Sequence, residues 1–425
     1  MFTNQEISAI NKIDFKTYSL KNGLKIILYK NNKAPIVNIL VWYHVGSKNE
    51  LPNRTGFAHL FEHLMFQGSE NLKKSEHFTY IQKVGGSLNG STSFDRTDYH
   101  ETLPSDYLEL GLWLEADRMR ALDLSQENFD NQRDVVFEEY NQRYVNAPYG
   151  KLFPLLTSML FSDTNYSWTP IGNMDQLAES TLEECKAFHN KFYKPNNATL
   201  VVSGDFEYDD VIQLIEKHYS DIEQGDEVKF DGVIDNIITG QKRLIHKDNV
   251  PLSKVFIGFK GLKIGSENSE TADILALIME EGRSGRLQSS MVFNSNPIAQ
   301  QVSCFNASFE KNGMIIFSAT SNGISTPEEL ENMLMEQINL IKSEGISTRE
   351  LQSAKNVMEA SISNTFNYLS GVSNALASNH VFLNDINRIN LEFSKYNSIT
   401  KDNVKAFANE ILEFNKSCVL HFVPE

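Results

Sequence analysis

AHLFEHLMFQG, residues 58–68, and ADILALIMEEG, residues 272–282, are the two segments whose comparison decides the fold of this chain. Both have helical length and composition, and both run into a glycine that can stop a helix. Two further pairs accompany them: LSQENFDNQRDVV (124–136) with ISTRELQSAKNVM (346–358), and KAFHNKFYKPNNATLVV (186–202) with KAFANEILEFNKSCVLHF (405–422). All three pairs keep the same order, about 214 to 222 residues apart. Ordered spacing of this kind predicts an internal repeat, two copies of one α+β unit.

Each copy is expected to be a mixed, mainly antiparallel sheet packed against helices on one face. KTYSLKNGLKIILYKN reads as a hairpin around Asn22-Gly23, and NILVWYHVGS adds a strand. A helix follows from Gly56 to Phe66, with Gly68 as its stop. SEHFTYIQKV reads as a second helix with Ser75 as its cap and Gly85-Gly86 as its stop. Strands are expected near SLNGSTSF and TDYHETL, and a long helix opens after Ser125 and runs towards Pro148. The acidic, glycine-punctuated stretch DIEQGDEVKFDGVIDNIITG joins the copies, so domains are expected at 1–228 and 229–425.

With 425 residues and 41% hydrophobic content, the chain has material for a large core. The formal charge of -16 argues against nucleic acid or an anionic membrane as partner, since both require a basic footprint. Cys185, Cys304 and Cys418 are widely spaced, which suggests neither a disulfide framework nor a thiolate metal site. No run of about 18 apolar residues could span a bilayer, and MFTNQEISAINKIDFKTYSL lacks the apolar core of a signal peptide. A cytoplasmic protein is expected as the sequence stands, or an exported one if a leader has been trimmed.

The two copies differ where chemistry is concerned. His59, Glu62 and His63 correspond to Asp273, Ala276 and Leu277, so the fold itself does not require the polar triad. Residues i and i+4 of a helix share a face, about 5 to 6 Å apart at Cβ, so His59 and His63 can grip one ion. Glu62 lies on the same side, where its carboxylate can act as a general base. Two histidines leave a zinc site one protein ligand short. Glu127, Asp130, Asp134, Glu138 and Glu139 are candidates, and Glu139 shares an apolar stripe with Phe129, Gln132 and Val136, whereas Glu138 sits about 100° away around the helix.

These residues resemble a known family. HLFEHLMFQG, the preceding VWYHVGSKNELPNRTGFA, then VGGSLNGSTSFDRTDYHETLP, NQRDVVFEE, PYG at Pro148, PIGN at Pro170 and GRSGRL from Gly282 are similar to the insulinase, pitrilysin and mitochondrial processing peptidase family of HxxEH zinc peptidases. The resemblance covers nearly the whole chain and matches the short members, built from two homologous α+β domains. It implies a zinc-dependent endopeptidase of unfolded peptides, with Zn2+ held by His59, His63 and Glu139, Glu62 as general base, and a second domain without metal that completes a chamber. It also implies that GGSLNGSTSF is an edge strand on which substrate docks, placing Asn89, Gly90, Ser91 and Thr92 at the substrate; read on its own, Asn89-Gly90 is also compatible with a turn, the less favoured alternative. Where the family often has a glutamate seven residues before the last ligand, this chain has Gln132, which bears on how the metal is supported.

One further departure concerns partners. Family members that work as one long chain or as self-sufficient dimers carry an arginine and, seven residues later, a tyrosine in the distal domain; here those positions fall on Phe293 and Gln300. The expectation is therefore a heterodimer with a homologous subunit that supplies the pair, a homodimer being the other possibility. A non-catalytic peptide-binding or assembly subunit, and a zinc hydrolase of non-peptide amides, are the rival readings.

Overall fold

The computed structural model describes residues 12–425. The opening stretch read for a signal peptide falls largely in residues 1–11, outside the described residues. Contacts divide the chain into two compact units, and the division is not one cut. The first unit holds the chain up to Tyr140, Trp168–Gly232 and Asn364–Asn390; the second holds Asn141–Ser167, Val233–Ser363 and Leu391–Glu425.

In the first unit the alternating residues around Asn22-Gly23 do form a hairpin, β1 (Lys16–Ser19) with β2 (Lys25–Lys30). With β3 (Ile36–Tyr43), β4 (Ser87–Thr92), β5 (Thr97–Pro104) and β6 (Ala198–Gly204) they build one sheet in the order β1-β2-β6-β3-β5-β4. Only β2 and β6 run parallel. The second unit has β7 (Lys242–Asp248), β8 (Lys254–Lys260), β9 (Ala299–Ser308), β10 (Gly313–Ser321) and β11 (Cys418–Pro424), in the order β7-β11-β8-β10-β9, again with only the first pair parallel. Apart from β1, the two sheets share one strand order and one pattern of directions. The repeat in the sequence is therefore a repeat in topology.

Four helices of the first unit surround the candidate residues or lead away from them: α1 (Phe57–Leu64), α2 (Glu76–Lys83), α3 (Leu108–Arg120) and α4 (Gln126–Tyr140). Helix α4 passes into a single π-helical turn, Asn141–Val145, where the chain crosses to the second unit. Ser75 stands at the start of α2 as expected but does not cap it; its φ of 65° puts it in the left-handed region, and its side chain makes no capping bond.

The expected helical layer lies on one face of the first sheet, and the repeat does not foretell what covers the other. Strand β3 is buried along nearly its whole length because its faces are both occupied. Tyr99, on one face, donates to the Phe61 carbonyl of α1 at 3.0 Å. On the other, Leu40, Trp42 and Val201 pack against Val372 and Leu376 of the helix Leu369–Ser378. The second unit has the matching arrangement. Val255, Ile257, Phe259, Ile315 and Phe317 form one core with the helices Ser269–Glu280, Pro327–Glu344 and Lys401–Ile411. On the opposite face, Gly258 sits under Leu160 of the helix Leu152–Leu160. Each sheet is thus closed by a helix from a segment on the far side of the boundary expected at residue 228. Among the described residues no helix is long and apolar enough to cross a membrane.

Candidate active site

Helix α1 has only eight residues, too short to hold itself in water. Tertiary burial holds it instead. Leu60, Phe61 and Leu64 are fully buried, each contributing about 1.5–3 kcal/mol. Phe61 packs its ring against Phe188, His189 and Tyr193 at the end of the helix Leu182–Phe192. That packing turns the opposite edge of α1, with both histidines, towards α4.

There the structure brings together the residues singled out by spacing. His59 Nε2 lies 3.6 Å from Glu139 Oε1, and His63 Nε2 lies 3.3 Å from Glu139 Oε2. The imidazoles meet edge to face with centroids 4.9 Å apart. One ligand atom from each of the three residues falls within 4.8 Å of the others. Phe129, Gln132 and Val136 are buried along the same face of α4, whereas Glu138 points to solvent. Two imidazole nitrogens and a carboxylate converging on one point are a donor set that suits zinc.

Glu62 stands beside this cluster and against the sheet. A Cβ on Gly90 would come within 3.3 Å of Glu62 Cγ and 3.2 Å of the Tyr99 ring, so glycine lets the carboxylate lie close to β4. Burial raises the Glu62 carboxyl above its usual range, while the side chain of Thr92 and the charge of His63 pull it back down. Asn89-Gly90 is not a turn. It lies in mid-strand, and among the described residues β4 is the last strand of the sheet, pairing only with β5. Gly90 and Thr92 face α1; Asn89, exposed, and Ser91 face the other way, paired with His100 and Asp98. Ser91 Oγ donates to Asp98 at 2.6 Å, and His100 Nδ1 lies 3.1 Å from the same carboxylate. Burial would raise Asp98, but His100, Arg96 and Ser91 outweigh it and hold it below its usual value.

Spacing could not have found the residues behind these. Glu50 accepts hydrogen bonds from the first turn of α1 and from Trp168, a residue far away in sequence. A second buried group, His77, Glu101 and Glu115, also brings three ligand atoms within 4.8 Å of one another. Arg118 already binds both oxygens of Glu115 and lies 4.4 Å from the Tyr99 ring centroid, so the positive charge there is a guanidinium. Burial pushes Glu101 well above and His77 well below their usual values, so it favours the uncharged form of both.

Comparison with known proteins agrees with this anatomy. The family described as Insulinase (Peptidase family M16) matches residues 25–171, and the one described as Peptidase M16 inactive domain matches residues 180–358. The chain is 30% identical over 420 residues to a Helicobacter pylori protein named Zinc protease PqqE, covering 96% of this chain and 93% of that one. The crystal structure of a protease from Helicobacter pylori superposes with a TM-score of 0.92 at 28% identity, covering 97% of this chain and all of that one. The periplasmic protease PqqL from Escherichia coli shares the fold at a TM-score of 0.78 and 20% identity; the match covers 97% of this chain but 48% of that one. With the HxxEH helix, the repeated sheet and these relatives in view, the chain belongs to the insulinase family, peptidase family M16.

Proposed function

We propose that the chain is a zinc-dependent endopeptidase acting on extended peptide segments. The observation that carries this reading is the convergence of His59, His63 and Glu139 beside Glu62 and a free sheet edge. His59, His63 and Glu139 would hold the ion, which supplies Lewis acidity towards a peptide carbonyl. Glu62 takes a proton from the attacking water and passes it to the leaving amine as the C–N bond breaks, so no proton is left over. The unpaired N–H and C=O groups of β4 bind the substrate backbone as an added strand, with Asn89 to Thr92 along it. Backbone pairing of this kind favours unfolded substrates of varied sequence. Gln132, buried on the same face of α4 seven residues before Glu139, stands where the family's supporting glutamate would be.

We further propose that the active form is paired. PqqL is a chain about twice the length of this one. In the second unit, Phe293 follows the π-helical turn Gln288–Val292, half exposed, and Gln300 is exposed on β9. Phenylalanine carries no cation and can donate no hydrogen bond, which favours a homologous partner subunit that carries the pair. The Arg283 guanidinium lies 4.5 Å from the Phe293 ring centroid and offers a cation for the alternative, a homodimer. The match to the inactive-domain family at residues 180–358 lies beyond every proposed site residue and takes in residues 233–358 of the second unit, which fits a unit without metal.

The test is to load the purified chain with zinc and assay cleavage of a quenched generic peptide, alone and with a candidate homologous subunit. Stoichiometric zinc and cleavage abolished in Glu62→Gln support the reading. A zinc-loaded chain inert towards peptides in every pairing would return it to the non-catalytic alternative.

A further inference from the structure

Helix α1 begins without a side-chain cap. Its N-cap residue is Gly56, at φ 97°, where a Cβ would lie 2.9 Å from the Ile171 carbonyl oxygen. Gly172 on the other side would, with a Cβ, strike the Gly56 nitrogen at 2.4 Å. This contact bars the serine, threonine, aspartate or asparagine that usually accepts from the first turn of a helix. The acceptor comes from outside instead. Glu50, 3% exposed, accepts from Ala58 N–H through Oε1 at 2.8 Å and from Gly56 N–H through Oε2 at 3.0 Å. Trp168 Nε1–H donates to the same Oε2 at 3.1 Å and to the Ser47 carbonyl at 3.1 Å.

The loop that ends in Glu50 also grips the turn between β4 and β5. Ser47 N–H donates to the Ser93 carbonyl at 3.2 Å and Lys48 N–H to the Phe94 carbonyl at 3.0 Å. Lys48 Nζ meets Asp95 Oδ1 at 3.0 Å, with both side chains almost wholly buried. One short stretch of backbone thus touches both halves of the candidate site: the N-terminus of the helix that bears His59, and the end of the strand proposed to bear substrate.

We propose that Ser47–Glu50 is a clamp that sets the metal helix against the substrate strand, with Glu50 its positioning residue. The proposal rests on the endopeptidase reading. Burying a carboxylate is costly unless its oxygens are bonded, and here those bonds go to backbone next to His59. His59 is the third residue of a two-turn helix, so slack at its start moves the imidazole directly. Metal bonds tolerate displacements of only about 0.2 Å.

The test compares wild type, Glu50→Gln and Trp168→Phe. The amide of Glu50→Gln turns a donor towards backbone N–H groups; Trp168→Phe removes one bond and keeps the carboxylate. Competition of the metal-free proteins with a chromophoric chelator should show zinc binding weakened about tenfold in Glu50→Gln, with a smaller loss in Trp168→Phe. In the loaded proteins kcat should fall while KM holds. A folded Glu50→Gln variant that melts earlier yet keeps zinc affinity and kcat within about twofold of wild type would make Glu50 merely structural and overturn the clamp. If Glu50→Gln does not fold, Trp168→Phe decides alone, and an unchanged zinc affinity overturns it. A wild type that binds zinc but cleaves nothing in any pairing refutes the peptidase reading, while the chelator comparison still decides the clamp.

Discussion

Asp273 occupies in the second unit the position that His59 holds in the first, and Tyr396 donates to its Oδ2 at 2.7 Å. Asn306 Nδ2 donates to Oδ1 at 2.9 Å. Both oxygens of this half-buried carboxylate serve as structural acceptors, and the neighbouring positions hold Ala276 and Leu277. Asp273→Ala should therefore remove two half-buried hydrogen bonds, costing about 1 kcal/mol of stability. Zinc content should be unchanged, as checked by denaturant unfolding alongside elemental analysis.

His63→Ala or His59→Ala should strip zinc, and Glu62→Gln should keep it while lowering turnover about 10²- to 10⁴-fold. Elemental analysis and peptide cleavage on the same preparations separate the two effects. Full zinc in His63→Ala would remove that residue from the ligand set.

Gly90→Ala should lower turnover without unfolding the protein. The added methyl would press on Glu62 and on the Tyr99 ring at 3.2–3.3 Å, and misplacing a catalytic group by about 1 Å can cost on the order of 100-fold. Gly240→Ala, where nothing lies within 4 Å, is the control and should behave as wild type.

The second unit carries a pH-sensitive contact of its own. Glu331 Oε2 lies 2.7 Å from His421 Nε2, and Arg243 donates to both Glu331 oxygens. Burial works to raise this carboxyl, but His421 and Arg243 outweigh it and hold it at about 2, below its ordinary 4.5. A depressed carboxyl stabilises the folded state above its unfolded value and loses that contribution as pH falls towards about 2. Glu331→Gln should thus lose roughly 1.5–3 kcal/mol at neutral pH, with the gap from wild type closing in acid. Urea unfolding of both proteins at several pH values measures it.

Should the chain work as a homodimer, Arg283→Ala ought to reduce kcat and leave zinc content alone. In the heterodimer the same change should have little effect, because the cation comes from the partner. Cleavage assays of the variant in each pairing distinguish the two arrangements.

The parts of this molecule legible in the sequence are those set by local periodicity. Helix α1, the β1-β2 hairpin and the inward side of Glu139 as against the exposed Glu138 follow from residues a few positions apart, and the repeat carried the shared topology. Ser75 misled because its type suits a cap while its backbone is left-handed. Glu50 was illegible because its partners come from separate segments, with Trp168 far along the chain. The exchange of segments between units left no mark in composition, since Leu152–Leu160 and Leu369–Ser378 are ordinary amphipathic helices.

That exchange bears on how the protein is made. The helix covering Leu40, Trp42 and Val201 lies in residues 364–390, so the sheet behind the proposed metal residues stays uncovered on one face until most of the chain has left the ribosome. A nascent chain that has only reached Gly232 already contains every proposed ligand, yet lacks the layer that finishes their support. Completion of the unit that holds the proposed ligands therefore waits on synthesis of most of the other unit.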